Sequence, residues 1–192
     1  MKKLLAPIII IIAVIALIAA MLVPRYNKLV SMDEQVDSKY AQVENQLQRR
    51  VDLIPNLVNT VKGYAKHEES IMKSIADSRA RLASAKTPQD QANANDELTG
   101  NLNRLLVISE KYPDLKADKN YRQLMDELAG TENRLAVARE DYNEGVKEYN
   151  GLVRKFPGSL VAGMFNFDKR EYFKASANAQ NAPTVDFGDD NQ

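Results

Sequence analysis

A chain of 192 residues has room for one bundle-sized core and an appendage, since a core of that kind takes roughly 100 to 150 residues. Its 26 Lys and Arg balance its 26 Asp and Glu, so no net field favours nucleic acid or an acidic substrate, and no nucleic-acid partner is expected. Cysteine is absent and histidine occurs once, which excludes disulfides, thiolate metal sites and cysteine nucleophiles and leaves no basis for a metal or cofactor.

From Leu4 to Val23 the chain carries no charge and almost nothing but Ile, Leu, Val and Ala. As a helix this run rises roughly 30 Å, the thickness of the hydrocarbon core of a bilayer. Pro7 in its first turn and Pro24 just beyond it are expected to mark its ends. A cleaved signal peptide has a shorter apolar region and a small-residue cleavage site, whereas this run continues through Met21, Leu22 and Val23, so residues 1–24 are expected to stay as an anchor, embedded in lipid over 4–23. Lys2 and Lys3 oppose Arg25 and Lys28 across the run, and the Lys/Arg asymmetry that sets orientation nearly cancels. The short tail with two lysines has the form of a signal anchor. It points to a single-pass protein of the cell membrane with its bulk domain extracytoplasmic.

Residues 25–175 are expected to form the helical domain. From Val36, apolar positions recur at alternating spacings of three and four through Tyr40, Val43, Leu47, Val51, Ile54, Val58, Val61 and Ala65, a heptad-like seam also compatible with a coiled coil. Pro55 interrupts it, so one long helix bent near Ile54 is expected. A second, shorter helix carries Ile71, Ile75, Leu82 and Ala85, with Ser78 on its apolar face. Thr87, Pro88 and Asp90 have the chemistry of a helix start, and Leu98, Leu102, Leu105 and Ile108 or Ser109 carry the stripe of a third helix to Tyr112. A loop over Pro113 to Ala117 leads to Asp118, an N-cap for the most regular helix of the domain, with Tyr121, Leu124, Leu128, Thr131, Leu135, Ala138, Tyr142, Gly145, Tyr149 and Leu152 on its seam. Phe156, Pro157 and Gly158 end that helix. The aromatic stretch from Ser159 to Ala175, with Phe165, Phe167, Tyr172 and Phe173, is expected to fold back on the bundle, and residues 176–192 to form a flexible tail. The fold class is therefore all-α: an N-terminal transmembrane helix, an antiparallel bundle of about four long helices and a short aromatic C-terminal segment.

Catalytic patterns fail on inspection. His67-Glu68 begins the zinc-protease pattern, but Ile71 stands where the second His belongs. Ser70 and Lys73 have a Ser-x-x-Lys spacing without the accompanying motifs, and a solvated helix face accounts for them. The single His excludes a di-iron bundle, and the carboxylates Asp126, Glu127, Glu132, Glu140, Asp141, Glu144 and Glu148 alternate with Arg122, Arg134, Arg139 and Lys147 as on a salt-bridged surface. One stretch resists that bland explanation. Gln46, Gln48, Arg49, Arg50, Asp52, Asn56, Asn59 and Lys62 surround Pro55, and Arg50 and Asp52 are too close along a helix to face each other. Their partners must lie on another helix or another molecule; bonding that fixes the kink inside the bundle is favoured over a partner-binding surface.

Several of these residues carry a family resemblance. Tyr26-Asn27, then Gln46-Leu-Gln-Arg-Arg-Val-Asp-Leu-Ile-Pro-Asn-Leu-Val58, then Val61-Lys-Gly-Tyr-Ala-Lys-His-Glu68 resemble the LemA family, as do Ala138-Arg-Glu-Asp-Tyr-Asn143, Tyr149-Asn150, Phe156-Pro157 and Tyr172-Phe173, so that the likeness runs from the anchor to about Phe187. Val51 stands where Ala is common in that family, enlarging a buried residue. The resemblance implies a bacterial-type protein with an N-terminal transmembrane helix, a bundle of long helices and no established enzymatic activity. The expected function is a non-catalytic, membrane-anchored scaffold or adaptor that acts as a homo-oligomer or docks a membrane-protein partner. The alternatives are a membrane-remodelling helical polymer and, behind it, an enzyme with Arg49, Arg50, Asp52 and His67 around a cleft at Pro55.

Overall fold

The computed structural model describes residues 2–174, with side chains from Pro7 onward; the tail expected at 176–192 lies outside them. All regular structure among the described residues is helical: α1 Lys2–Tyr64, α2 Glu69–Ser84, α3 Pro88–Ser109, α4 Pro113–Ala117, α5 Lys119–Arg154 and α6 Gly158–Phe165. Chain contacts divide them into two compact units. The first holds the described part of Met1–Gln46 with Glu132–Tyr172; the second holds Leu47–Thr131 with Phe173 and Lys174.

Pro24 follows the end of the apolar run at Val23 but does not end the helix, and the helix of the bundle does not begin afresh at Val36: one helix of 63 residues passes through both places, and Pro55 lies inside it, in one long helix as expected. An interior proline forfeits one backbone hydrogen bond and costs about 3 kcal/mol, so it persists where the flanking turns are held by packing. Beyond Pro24 that packing begins at once, with Leu29, Met32 and Val36 all buried. At Pro55 the missing N–H leaves the Val51 carbonyl without its helical donor, and Arg79 of α2 supplies one, its Nε donating to Val51 O at 2.8 Å. The helix assignment is unbroken through Ile54 and Pro55.

In the first unit, α1 and α5 run antiparallel. Gln46 Oε1 accepts from Arg134 Nε at 3.1 Å, the Tyr40 and Tyr142 rings lie 5.2 Å apart, and Gly145 faces Val36 and Lys39. The paired numbers fall on one side as they rise on the other, the mark of two antiparallel rods in fixed register. A Cβ at Gly145 would stand 3.0 Å from Lys39 Cδ, so the glycine permits the helices to approach there. Beyond α5 the chain turns through a cis Phe156–Pro157 bond into α6. Gly158 admits no side chain, because a Cβ would collide with the Leu152 carbonyl oxygen. α6 ends on Asn166 in the left-handed conformation at φ 56, and the Phe167 N–H returns to Ala162 O at 3.0 Å, closing the helix as an asparagine can.

The segment after α6 is tied back to both rods. Arg170 donates from Nε to Asp33 Oδ1 at 2.9 Å and reaches Asp37 Oδ1 at 2.9 Å, while its backbone N–H and C=O are both bonded by the Asn150 amide. Asp33 and Asp37 are one helical turn apart, so one guanidinium spans both. Burial works against the Arg170 charge, but the bonds and charges of the two aspartates outweigh it and raise its pKa. Tyr149, 1% exposed, lies beside them, and burial together with the Asp33 carboxylate pushes its phenol up to about 12.

The second unit packs α2 against α3 as an antiparallel hairpin beside Leu47–Tyr64 of α1 and Lys119–Thr131 of α5. Thr87 caps α3, its Oγ1 accepting from the Asp90 N–H at 3.1 Å, with Pro88 at the first helical position. α3 ends at Ser109, short of Tyr112. The loop expected at Pro113–Ala117 is a five-residue helix, α4; Pro113 fixes the backbone of its first position and Asp114 and Lys116 suit its two ends. Asp118 caps α5, accepting from the Tyr121 N–H at 2.8 Å and from the Tyr64 hydroxyl at 2.9 Å, and these two bonds hold its carboxyl below the usual range.

Two outcomes are expected. Arg79→Met lowers stability by about 1–3 kcal/mol, the range for stranding a buried carbonyl, and the loss shrinks when Pro55→Ala restores an N–H to Val51; urea denaturation of the four proteins of this cycle measures the coupling. Tyr149 has a folded pKa above its ordinary value near 10, so its contribution is intact below pH 10 and is lost as pH rises toward 12. Denaturation midpoints measured across that window fall more steeply for the natural chain than for Tyr149→Phe.

Candidate functional site

The polar block around Pro55 is not one site. Gln46 belongs to the first unit, where it bonds Arg134. The remaining members lie in the second unit and divide by helix face. Arg50 points inward and is 2% exposed. It donates from one terminal nitrogen to Asn95 Oδ1 at 2.6 Å and from the other to Thr99 Oγ1 at 3.1 Å, both on α3. Arg49, one position earlier, is turned outward to Glu127 of α5 at 2.8 Å with its side chain 58% exposed. Gln48 donates to Asp52 Oδ1 at 2.7 Å one turn away, while Asn56, Asn59 and Lys62 continue the same exposed face.

Arg50 finds its partners on another helix, as expected, but Asp52 bonds Gln48 of its own helix, because residues four apart share a face; Arg50 shows what the block does internally. A guanidinium removed from water loses its hydration and must recover it from fixed donors and acceptors. α3 provides them because its stripe is polar at its N-terminal half. Stepping back from Leu98 by three and four residues gives Asn95 and Gln91, both buried, and Asn101 is buried one turn further on. Asn101 Nδ2 bonds the Ser74 carbonyl at 3.2 Å and Ser78 Oγ at 3.3 Å, joining α2 to the same polar interior. Arg79 and these α3 amides were not among the sequence candidates. The α3 set was recoverable from the three-four alternation once polar residues were admitted to it; Arg79 carried no sequence signal, since its partner is a backbone atom.

The enzyme alternative required Arg49, Arg50, Asp52 and His67 to share a cleft, and they do not converge. Arg50 is buried against α3, Arg49 faces α5, Asp52 pairs with Gln48, and His67 is exposed in the turn between α1 and α2. A surface recess of about 310 Å³ lies nearby, lined by Val58, Lys62, Glu69, Met72, Lys73 and Ala76. Among the described residues no group of three or more His, Asp or Glu side chains is placed to hold a metal ion.

The apolar N-terminal segment is the other candidate. Its described side chains up to Val23 are uncovered, Leu17 being 73% exposed, and no 18-residue stretch elsewhere in the described helices is comparably apolar. Val23 closes the run, and Leu4, at its other end, lies within α1 where only the backbone is described. At its inner end Tyr26 meets Phe165 with ring centroids 4.7 Å apart and Phe167 at 5.9 Å.

The two adjacent arginines separate structure from surface. Arg50→Ala is expected to cost about 3 kcal/mol or more, because it strands the Asn95 and Thr99 acceptors and opens a void. Arg49→Ala is expected to cost under about 1 kcal/mol, as for other exposed ion pairs. Chemical denaturation of both variants tests the contrast.

Comparison with known proteins follows the same pattern of residues. The LemA family matches residues 39–187. Magnetosome protein MamQ 2 of Paramagnetospirillum magneticum is 30% identical over 85% of this chain and 70% of its own length. Magnetosome protein MamQ of Magnetospirillum gryphiswaldense is 29% identical over 84% and 70%, and Protein LemA of Metamycoplasma hominis is 24% identical over 80% and 71%. The family match takes in the later part of α1 with the Pro55 block and all of α5, and the chain belongs to the LemA family.

Proposed function

We propose that the chain is a membrane-anchored, non-catalytic helical scaffold or adaptor, acting through self-association or by docking a membrane-protein partner. The observation that carries this reading is the apolar first part of α1: the sixteen side chains from Ile8 to Val23 are exposed in the isolated chain, Leu22 alone being half-buried, and charged residues resume only at Arg25. Burying that much apolar surface in lipid far outweighs any cost of anchoring, at about 0.8 kcal/mol per methylene group. The N-terminal segment therefore indicates membrane association, and a single pass over residues 4–23 is its simplest form, with the helical units extracytoplasmic.

The scattered placement of Arg49, Arg50, Asp52 and His67 supports a non-catalytic role, and the names of the LemA and MamQ relatives indicate no catalytic activity. The exposed face formed by Gln48, Asp52, Asn56, Asn59 and Lys62 is available to a partner, whereas Arg50 serves the interior.

Alkaline extraction is expected to leave the full-length chain in the membrane pellet, and protease added to intact cells stripped of their outer layers is expected to cleave the helical units. Mass photometry of protein solubilised in mild detergent is expected to show assemblies above the monomer mass. A chain recovered in the aqueous phase contradicts the anchor; a strict monomer that captures no partner from membranes contradicts the scaffold.

A further inference from the structure

We propose that α6 is a second membrane-contacting element, an interfacial helix that lies in the same leaflet as the inner end of the anchor with its free face in the acyl chains. The proposal rests on the membrane-spanning reading of α1 and adds to it a lipid contact formed more than 130 residues later in the chain.

α6 has the sequence of a helix meant to be wetted by lipid on one side. Val161 and Ala162 face inward and are buried, while Leu160 is 54% and Met164 65% exposed. Phe156, in the turn before the helix, is 73% exposed, and Phe165 at its end 53%. Leu160 and Met164 are one turn apart on α6 and fall on a single stripe. Isolated exposed apolar residues are ordinary, but three large ones on an eight-residue helix, with a fourth in the turn before it, are not.

The position of α6 identifies the occupant of that stripe. Met164 and Phe165 form one wall of a groove of about 370 Å³ whose other wall is Ile15, Ile18, Ala19, Leu22, Val23 and Tyr26 of α1. Whatever fills this groove touches the anchor over its inner half, so it lies at the depth of the hydrocarbon. A bilayer acyl chain is the matching occupant. Tyr26, tilted against Phe165 and edge-on to Phe167, stands at the boundary where tyrosine rings collect in membrane proteins.

Charge agrees with this placement. The first acidic residue of the chain is Asp33, and none occurs from Tyr149 to Phe167. These two acid-free segments are the ones the fold brings together. Their cations, Arg25 and Lys28 on α1 and Arg154 and Lys155 ahead of α6, are all exposed and suit the anionic headgroups of a leaflet. Water-soluble surfaces elsewhere on α5 alternate acids and bases instead.

The absence of tryptophan makes a direct test possible, because a single introduced Trp is the only indole in the protein. Leu160→Trp and Phe156→Trp are made in the full-length chain, with Leu17→Trp as the anchor reporter and Asp141→Trp, on α5 well beyond the apolar segment, as the aqueous control. Each is reconstituted in phosphatidylcholine–phosphatidylglycerol vesicles with and without bromine on the acyl chains. The proposal predicts blue-shifted emission and strong bromine quenching for Leu160→Trp or Phe156→Trp, comparable to Leu17→Trp, and none for Asp141→Trp. Quenching of Leu17→Trp alone overturns the α6 proposal and leaves the anchor standing. No quenching at Leu17 removes the anchor and this proposal with it. A blue shift at Leu160 and Phe156 without quenching means that protein covers the stripe, which also overturns the proposal.

Discussion

Backbone hydrogen bonding is the constraint on which the rest of the structure depends: a helix that runs from an apolar medium into a protein core must satisfy every carbonyl along the way. α1 runs over 63 residues with prolines inside it, each of which removes one backbone donor. Where Pro55 removes a donor, Arg79 replaces it, and the replacement fixes α2 against α1 at the level of Val51. The lost bond thus becomes an interhelical one. A proline that on its own costs about 3 kcal/mol is held where a neighbouring guanidinium can answer it, so its effect is inseparable from the packing of α2.

Polar groups organise both units, in different ways. The second unit has an interior in which Arg50, Asn95, Thr99, Ser78 and Asn101 bond across three helices. Such a network specifies one register, because sliding α3 by a residue would leave a buried guanidinium facing apolar side chains. The first unit uses Arg170 as a clasp, drawing the segment after α6 onto Asp33, Asp37 and Asn150. Because this clasp follows α6 closely, it also fixes where the short apolar helix sits beside the apolar part of α1.

Much of this was legible from the residues. The all-α fold, the α5 seam, the Thr87 and Asp118 caps and the inward Ser78 all follow from period, capping chemistry and proline placement. The helix boundary near Pro24 was not, since proline reports a lost bond and says nothing of the packing that carries a helix through it, whereas the single long helix through Pro55 was expected. Around Pro55 the first stripe was placed at Val51, Ile54 and Val58; Val51 and Ile54 are buried and Val58 half-buried, yet Arg50, Leu53 and Leu57 are buried as well. A helix enclosed by several neighbours buries a wide face, and a long cation on that face is invisible to a hydrophobic pattern. The polar block around Pro55 stood out in the sequence, but only partner positions on α3 and α5 could show that it splits into an interior arginine and an exposed face. Arg170 lay beyond reach for a simpler reason: its partners are 133 and 137 residues away.

The likeness to the MamQ relatives extends over most of the chain's length, and the LemA family match over residues 39–187. Because the chain lacks cysteine, single spin labels placed along residues 10 to 36 report the environment of α1 one position at a time. In bilayers the account predicts high oxygen accessibility through Val23, a rise in water-soluble nickel-complex accessibility from Arg25, and an unbroken 3.6-residue period across Pro24 as Leu29, Met32 and Val36 turn inward. Labels before Val23 that are reached by the nickel complex as readily as those after it, or a period lost at Pro24, would contradict it.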